Sequence, residues 1–220
     1  MSMGVITIER KILAKNDACA EENRALLRSH RIFSVNIVSS PGAGKTSLLE
    51  LLLDEMQGRI PCAVIEGDLQ TDLDAQRIAR HGVPAVQIVT RGGCHLDAPL
   101  VRDAMGHLAL DSLRLLIIEN VGNLVCPANY DLGEDLKIVV VSTTEGDDKP
   151  LKYPEMFHRA SVLVINKTDL LPYTGSDADL LESNARRINP GLQVFRTSCR
   201  TGDGIPLFAE WIAQEVQKRQ

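Results

Sequence analysis

With 220 residues, 44% of them apolar and 24% charged, the chain holds enough material for one medium-sized domain with a sizeable core. A formal net charge of -5 and a pI near 5.6 provide no broad basic surface, which argues against nucleic acid as a partner. The opening MSMGVITIER lacks the apolar core of a signal peptide, and no later stretch nears the roughly 20 apolar residues of a membrane helix, so the expected setting is the cytoplasm.

Residues 1–31 read as an N-terminal helical appendage, polar and partly amphipathic from Ile6 to His30, ahead of a P-loop domain spanning 32–220. Short Val- and Ile-rich runs then recur at 33–40, 61–68, 84–91, 114–121, 136–143, 161–168 and 193–198. Stretches such as TSLLELLLDEMQG and GIPLFAEWIAQEVQ fit helices between them. Runs of this length suit strands buried on both faces, and each parallel connection needs a crossover. The pattern therefore predicts an α/β fold with a mainly parallel sheet of about seven strands flanked by helices. GDDKPLKYPEM at 146–156 reads as a surface loop from its Gly, Pro and charge content.

After the first run, residues 39–46 spell SSPGAGKT, a Walker A loop with Ser39 where the strict pattern begins with Gly. Gly42, Ala43 and Gly44 let backbone N–H groups face phosphate oxygens, and the next helix points its positive end at them. Lys45 reaches the β and γ phosphates, Thr46 holds Mg²⁺, and Ser47 lies beside them. Ser39 is a problem only if its backbone needs φ > 0. Phosphoryl transfer depends on positioning and charge neutralisation, so carboxylates are expected at strand ends. Asp68 and Glu119 are the candidates around Mg²⁺, and Asp72 the candidate for orienting water. Asp72 and Asp74 read equally well as helix caps. No arginine finger is assignable, so intrinsic turnover should be slow.

The sixth run ends in Asn166-Lys167-Thr168-Asp169, an N-K-x-D arrangement. Asp169 accepts hydrogen bonds from the guanine N1–H and exocyclic amine, a donor pair that adenine lacks, and an unpaired buried acceptor costs the wrong base about 1–3 kcal/mol. Lys167 packs along the base, and Ser198 and Cys199 occupy the place of a second base-contacting loop.

Of the five cysteines, none forms a C-x-x-C pair, and free thiols or metal ligands are expected rather than disulfides. Gly92-Gly93-Cys94-His95 follows the third run and Cys126-Pro127 follows the fourth. Strand C-termini of a parallel sheet share the edge that carries the phosphate loop, so these residues are placed to converge beside the nucleotide. Two thiolates and an imidazole suit Ni²⁺ or Zn²⁺ and leave a position open for exchange. Cys62 and Cys19 read as small apolar residues and Cys199 is ambiguous. His30, His81, His107 and His158 read as solvated.

Taken together, SSPGAGKTSLLE, EGDLQTDLDAQR, GGCHLDAPLV, IIENVGNLVCPANYDLGE, EGDDKPLKYPEMF and NKTDLLPY closely resemble the HypB family, GTPases that assist nickel insertion during maturation of nickel–iron hydrogenases. The resemblance runs from about residue 33 to 205. It implies a SIMIBI-type P-loop fold that hydrolyses GTP to GDP and phosphate. It also implies a homodimer formed or tightened by GTP, with nickel or zinc at Cys94, His95 and Cys126 near the interface. The companion nickel metallochaperone and the hydrogenase large-subunit precursor are the implied partners. The N-terminal cysteine motif or histidine-rich stretch of some members is not found here, so no nickel reservoir is expected. The urease-type nickel GTPase would carry Cys-Pro-His, where this chain has Cys126-Pro127-Ala128. A non-catalytic metal-binding scaffold on the same fold is disfavoured by intact Lys45, Thr46 and Asp169.

Overall fold

The computed structural model describes residues 8–68 and 73–219. The seven apolar runs form seven strands: β1 Phe33–Ser39, β2 Cys62–Asp68, β3 Ala85–Val89, β4 Leu115–Glu119, β5 Leu136–Ser142, β6 Val162–Asn166 and β7 Gln193–Arg196. All pair in parallel in the order β3-β2-β4-β1-β5-β6-β7. Strand β1 has β4 on one side and β5 on the other. Its C-terminal end therefore opens into the crevice where an open α/β sheet takes ligands.

The helices are α1 Ile8–Ser29, α2 Lys45–Met56, α3 Leu73–Ala79, α4 Ala98–Met105, α5 Lys149–Lys152, α6 Pro154–Arg159, α7 Ala178–Ile188 and α8 Ile205–Lys218. Alternation along the strands sends Val35, Ile37, Val64, Ile117 and Val140 to one face, under α2 and α8. In α2, Leu48, Leu49, Leu52, Leu53 and Met56 recur at helical spacing and are buried, each worth about 1.5–3 kcal/mol of transfer free energy. The opposite face is split. Val139, Val141, Leu163 and Ile165 pack with residues of α6 and α7, whereas Ala63, Ile65, Leu116 and Ile118 pack with residues of α4 and α1. Helix α1, set apart by sequence as residues 1–31, buries Ala20 and Leu27.

The stretch 146–156, expected as a loop, instead carries α5 and starts α6. Pro150 and Pro154 sit in the first turns, where the missing N–H has no intrahelical partner to lose and the fixed φ suits a helix start.

Candidate functional site

The phosphate loop turns on Gly42 and Gly44, with φ of +77° and +98°. A Cβ on Gly44 would lie 2.5 Å from Asn166 Nδ2, so both backbone and packing demand glycine there. Ser39 avoids the anticipated strain because it is the last residue of β1 and keeps strand geometry. Its hydroxyl accepts from Lys45 Nζ at 3.1 Å. Lys45, Thr46 and Ser47 open α2, whose unpaired first-turn N–H groups suit an anion.

Thr46 Oγ1 donates to Glu119 Oε1 at 2.7 Å. Glu119 is the register neighbour of Glu66, and both are buried. With Asp68 they line a cleft of about 480 Å³ shared with the phosphate loop. Neighbouring carboxylates repel, and a hard cation taking oxygen ligands relieves that repulsion, so this set fits Mg²⁺. Arg77 lines the same cleft, gripped by Glu50 at 3.0 and 2.6 Å. Lys149 Nζ reaches Ser40 Oγ and Glu145 Oε2, each at 3.2 Å.

A second pocket of about 410 Å³, the candidate to take the base, lies beyond Gly44. Asn166 does not face the pocket alone. Its amide donates to Ala43 O at 3.0 Å and its Oδ1 accepts from Thr197 at 3.2 Å, which ties the base loop to the phosphate loop. Lys167, at φ +62°, donates to Gly42 O at 2.7 Å. Ser198 is buried and its hydroxyl donates to Asp169 Oδ1 at 2.6 Å, fixing the carboxylate's orientation. Cys199 lines the pocket, and burial pushes its thiol above the ordinary value.

Cys94, His95 and Cys126 come together as predicted from their loops. Their ligand atoms all lie within 4.8 Å of one another, near the widest spacing that one ion can bridge with bonds of about 2.0–2.3 Å. The two sulfurs are 2.7 Å apart, and Cys94 Sγ is 3.6 Å from His95 Nδ1. The hydrogen bond with Cys126, together with burial, raises the Cys94 thiol. Burial lowers the His95 imidazole against the opposing pull of the Asp97 charge, a shift toward the neutral form in which imidazole ligates a metal. Tyr130 lies against the imidazole with ring centroids 3.9 Å apart. Three soft or borderline donors fit Ni²⁺ or Zn²⁺ with an open coordination position. Among the described residues this is the one such group of three, and Cys19, Cys62 and Cys199 lie outside it.

The loop from Glu119 to Cys126 touches both sites. At its start Glu119 meets Thr46, and Gly122 lies so close to Pro41 that a Cβ would be 3.2 Å from its Cα. Farther on, Asn123 donates to Cys94 O at 3.2 Å, and Asn120 Oδ1 accepts from Leu96 N at 3.1 Å.

Every residue proposed from sequence thus lies at one sheet edge except Asp72, which lies outside the described residues. Sequence reasoning passed over Glu66, Arg77, Asn120, Asn123, Tyr130 and Lys149. Only Glu66 carried a usable signal, being an acidic residue near a strand end in step with Glu119. His30 and His81, expected as solvated, pair with Asp111 at 2.9 Å and Asp54 at 2.7 Å.

Fold and site together define a P-loop GTPase with an adjoining thiolate and imidazole centre. Over residues 33–196 the chain matches the family described as CobW/HypB/UreG, nucleotide-binding domain. The hydrogenase maturation factor HypB of Azotobacter vinelandii is 53% identical over 213 residues, covering 96% of this chain and 70% of that one. HypB from Helicobacter pylori, solved in complex with nickel, superposes with a TM-score of 0.88 at 38% identity, covering 93% of this chain and 96% of the other. The signal recognition particle receptor FtsY from Elizabethkingia anophelis shares the fold alone, with a TM-score of 0.55 at 16% identity over 82% of this chain and 65% of that one. The chain belongs to the HypB family of hydrogenase maturation factors.

Proposed function

We propose that this protein delivers nickel to the large subunit of a nickel–iron hydrogenase, with delivery timed by GTP hydrolysis. The observation that carries the reading is the loop 119–126, which bonds the phosphate-loop helix at one end and supplies a sulfur to the Cys94, His95, Cys126 cluster at the other. Gly42, Ala43, Gly44 and Lys45 cradle the phosphates, Ser47 lines the cleft beside them, and Asp169, oriented by Ser198, selects guanine with Asn166 and Lys167 shaping the pocket and Cys199 lining it. Thr46, Asp68 and Glu119 would hold Mg²⁺, which when bound supplies charge neutralisation at the β and γ phosphates. Asp72 orients the attacking water. Arg77, the arginine of α3, is held by Glu50, and with no arginine finger assigned the reading expects slow intrinsic turnover.

Nickel is the cargo, held by Cys94, His95 and Cys126, and Zn²⁺ takes the same ligands. Loss of the γ-phosphate frees Thr46 and Glu119 to shift the loop, which changes the placing of Cys126. GTP favours a homodimer with the metal loops near its interface. The companion nickel metallochaperone and the hydrogenase precursor are the partners, in a reducing cytoplasm where all five thiols stay free.

The test measures nickel and zinc affinity and dimerisation together, for wild type and Cys94→Ala, in GDP and in a non-hydrolysable GTP analogue. The reading expects metal affinity to depend on the nucleotide in wild type and to collapse in the variant. Equal affinity in both nucleotide states would remove the coupling, because a ligand shifts an equilibrium only through differential binding. Wild-type affinity in Cys94→Ala would remove the metal site.

A further inference from the structure

Cys94 and Cys126 belong to loops that leave different strands, five residues past Val89 and seven past Glu119. Pairing of β2 with its neighbours sets where those strands end, but not where two such loops place their sulfurs. A site of defined geometry needs its ligands held to within about 0.5 Å. Helix α1 crosses both loops just beyond the ligands. Asn16 Oδ1 accepts from Ala98 N at 2.8 Å, and its Nδ2 donates to Asp131 O at 2.8 Å. One side chain thereby bridges the segment after His95 to the segment after Cys126. Two turns along the same face, Asn23 repeats the bridge, donating to Ala98 O at 2.9 Å and to Leu132 O at 3.0 Å. Arg24 Nη2 donates to both oxygens of the Asp131 carboxylate, at 2.8 and 2.7 Å. The helix backbone meets the second loop directly: Gly133, at φ +90°, has Ala20 O only 2.6 Å from where a Cβ would stand.

Asn16 and Asn23 are 3% and 0% exposed, and burying two amides is costly unless every polar atom is paired. Apolar side chains would seal this face at lower cost, but they have no directional preference for one loop placement over another. Directional bonds do, because a displaced loop leaves buried donors and acceptors unpaired.

We propose that Asn16, Asn23 and Arg24 of α1 are positioning residues for the metal centre, tying the segment after His95 to the segment after Cys126 so that the two loops are held near each other. The inference rests on the reading of Cys94, His95 and Cys126 as metal ligands. The test titrates the full chain in GDP with Ni²⁺ or Zn²⁺ alone, comparing wild type, Asn16→Ala, Arg24→Met and Cys94→Ala. The same samples give the sulfur-to-nickel charge-transfer band, GTP affinity and Tm. Asn16→Ala and Arg24→Met should each weaken metal binding, by about 10–100-fold for the stronger of the two, and alter the charge-transfer band while leaving GTP affinity at the wild-type value. Both variants binding nickel like wild type, with Cys94→Ala inactive, would overturn the clasp and leave the metal site standing. Cys94→Ala binding like wild type would instead overturn the metal reading beneath it. Metal affinity falling only in step with Tm and GTP affinity would make α1 an ordinary packing helix and would also overturn the proposal. Asn23→Ala is the less informative variant, since besides stranding two carbonyls it takes from Arg102 an acceptor at 3.3 Å.

Discussion

The two halves of the sheet edge prepare their ligands differently. On the β5–β7 side, the residues proposed to read guanine sit at or just past strand ends, with Ser198 bonded to Asp169 and Asn166 bonded to Ala43 of the phosphate loop. On the β2–β4 side, Cys94, His95 and Cys126 stand well out on loops, and side chains from β1, from Asn120 just past β4 and from α1 hold those loops together. The first arrangement suits a site that must recognise one base every time. The second leaves ligands on elements that can be displaced, as a site that receives and surrenders an ion requires.

Substitutions that break one half should spare the other, and the size of the effect should follow what each residue touches. Lys45→Ala removes the cation aimed at the phosphates and should lower GTP hydrolysis by about 10³-fold or more while metal affinity in the absence of nucleotide stays put. Single-turnover hydrolysis and a metal titration on the same protein check this. On the other side, Gly133→Ala forces a Cβ against Ala20 O and Asn23 at a positive φ, so it should cost about 2–4 kcal/mol of stability in a denaturant titration. Metal affinity should fall with it, even in the fraction that remains folded.

That contrast also explains what could be read beforehand. The central strands were legible because burial on both faces favours nearly continuous apolar runs, as in KIVVVS of β5 and VLVIN of β6. Phosphate and base motifs were legible because their chemistry is local: Gly42 to Thr46 and Asn166 to Asp169 are each contiguous. For Cys94, His95 and Cys126 the residue types and the strand-end rule predicted convergence. The bonds that hold them were beyond reach, because Asn16 meets Asp131 across 115 positions and Asn23 meets Ala98 across 75. Helix α1 looked like a polar appendage for the same reason. Its informative residues are asparagines, which read as surface until their partners are known. Asp72 remains a proposal from sequence.

Within the base-reading half, Asp169→Asn exchanges a carboxylate that accepts two guanine donors for an amide that offers one acceptor and a donor. Preference for GTP over ATP should drop by about tenfold or more. Xanthosine triphosphate, whose 2-oxo group accepts where guanine donates, should gain by comparison. Competition binding with the three nucleotides measures both, and nickel affinity in GDP-free protein should not move. If it does move, the two halves are less separate than their bonding implies.

The smallest effect expected belongs to the pair that joins α1 to the metal half. Burial alone would raise the Asp131 carboxyl. The hydrogen bonds from Arg24 and the Gly133 N–H, with the Arg24 charge, outweigh it and hold the group below its ordinary value. A carboxyl depressed in the folded state contributes stability that is fully present above the unfolded carboxylate range and is lost as pH falls through the folded value. Because the Asp131 side chain is 41% exposed, solvent screening should keep this contribution to about 1 kcal/mol or less. Urea midpoints of wild type and Asp131→Asn should therefore differ at neutral pH and converge in acid, and added salt should narrow the gap. A gap that persisted unchanged at low pH would mean that Arg24 and Asp131 hold the loop by packing rather than by charge, and the clasp would then rest on Asn16 and Asn23.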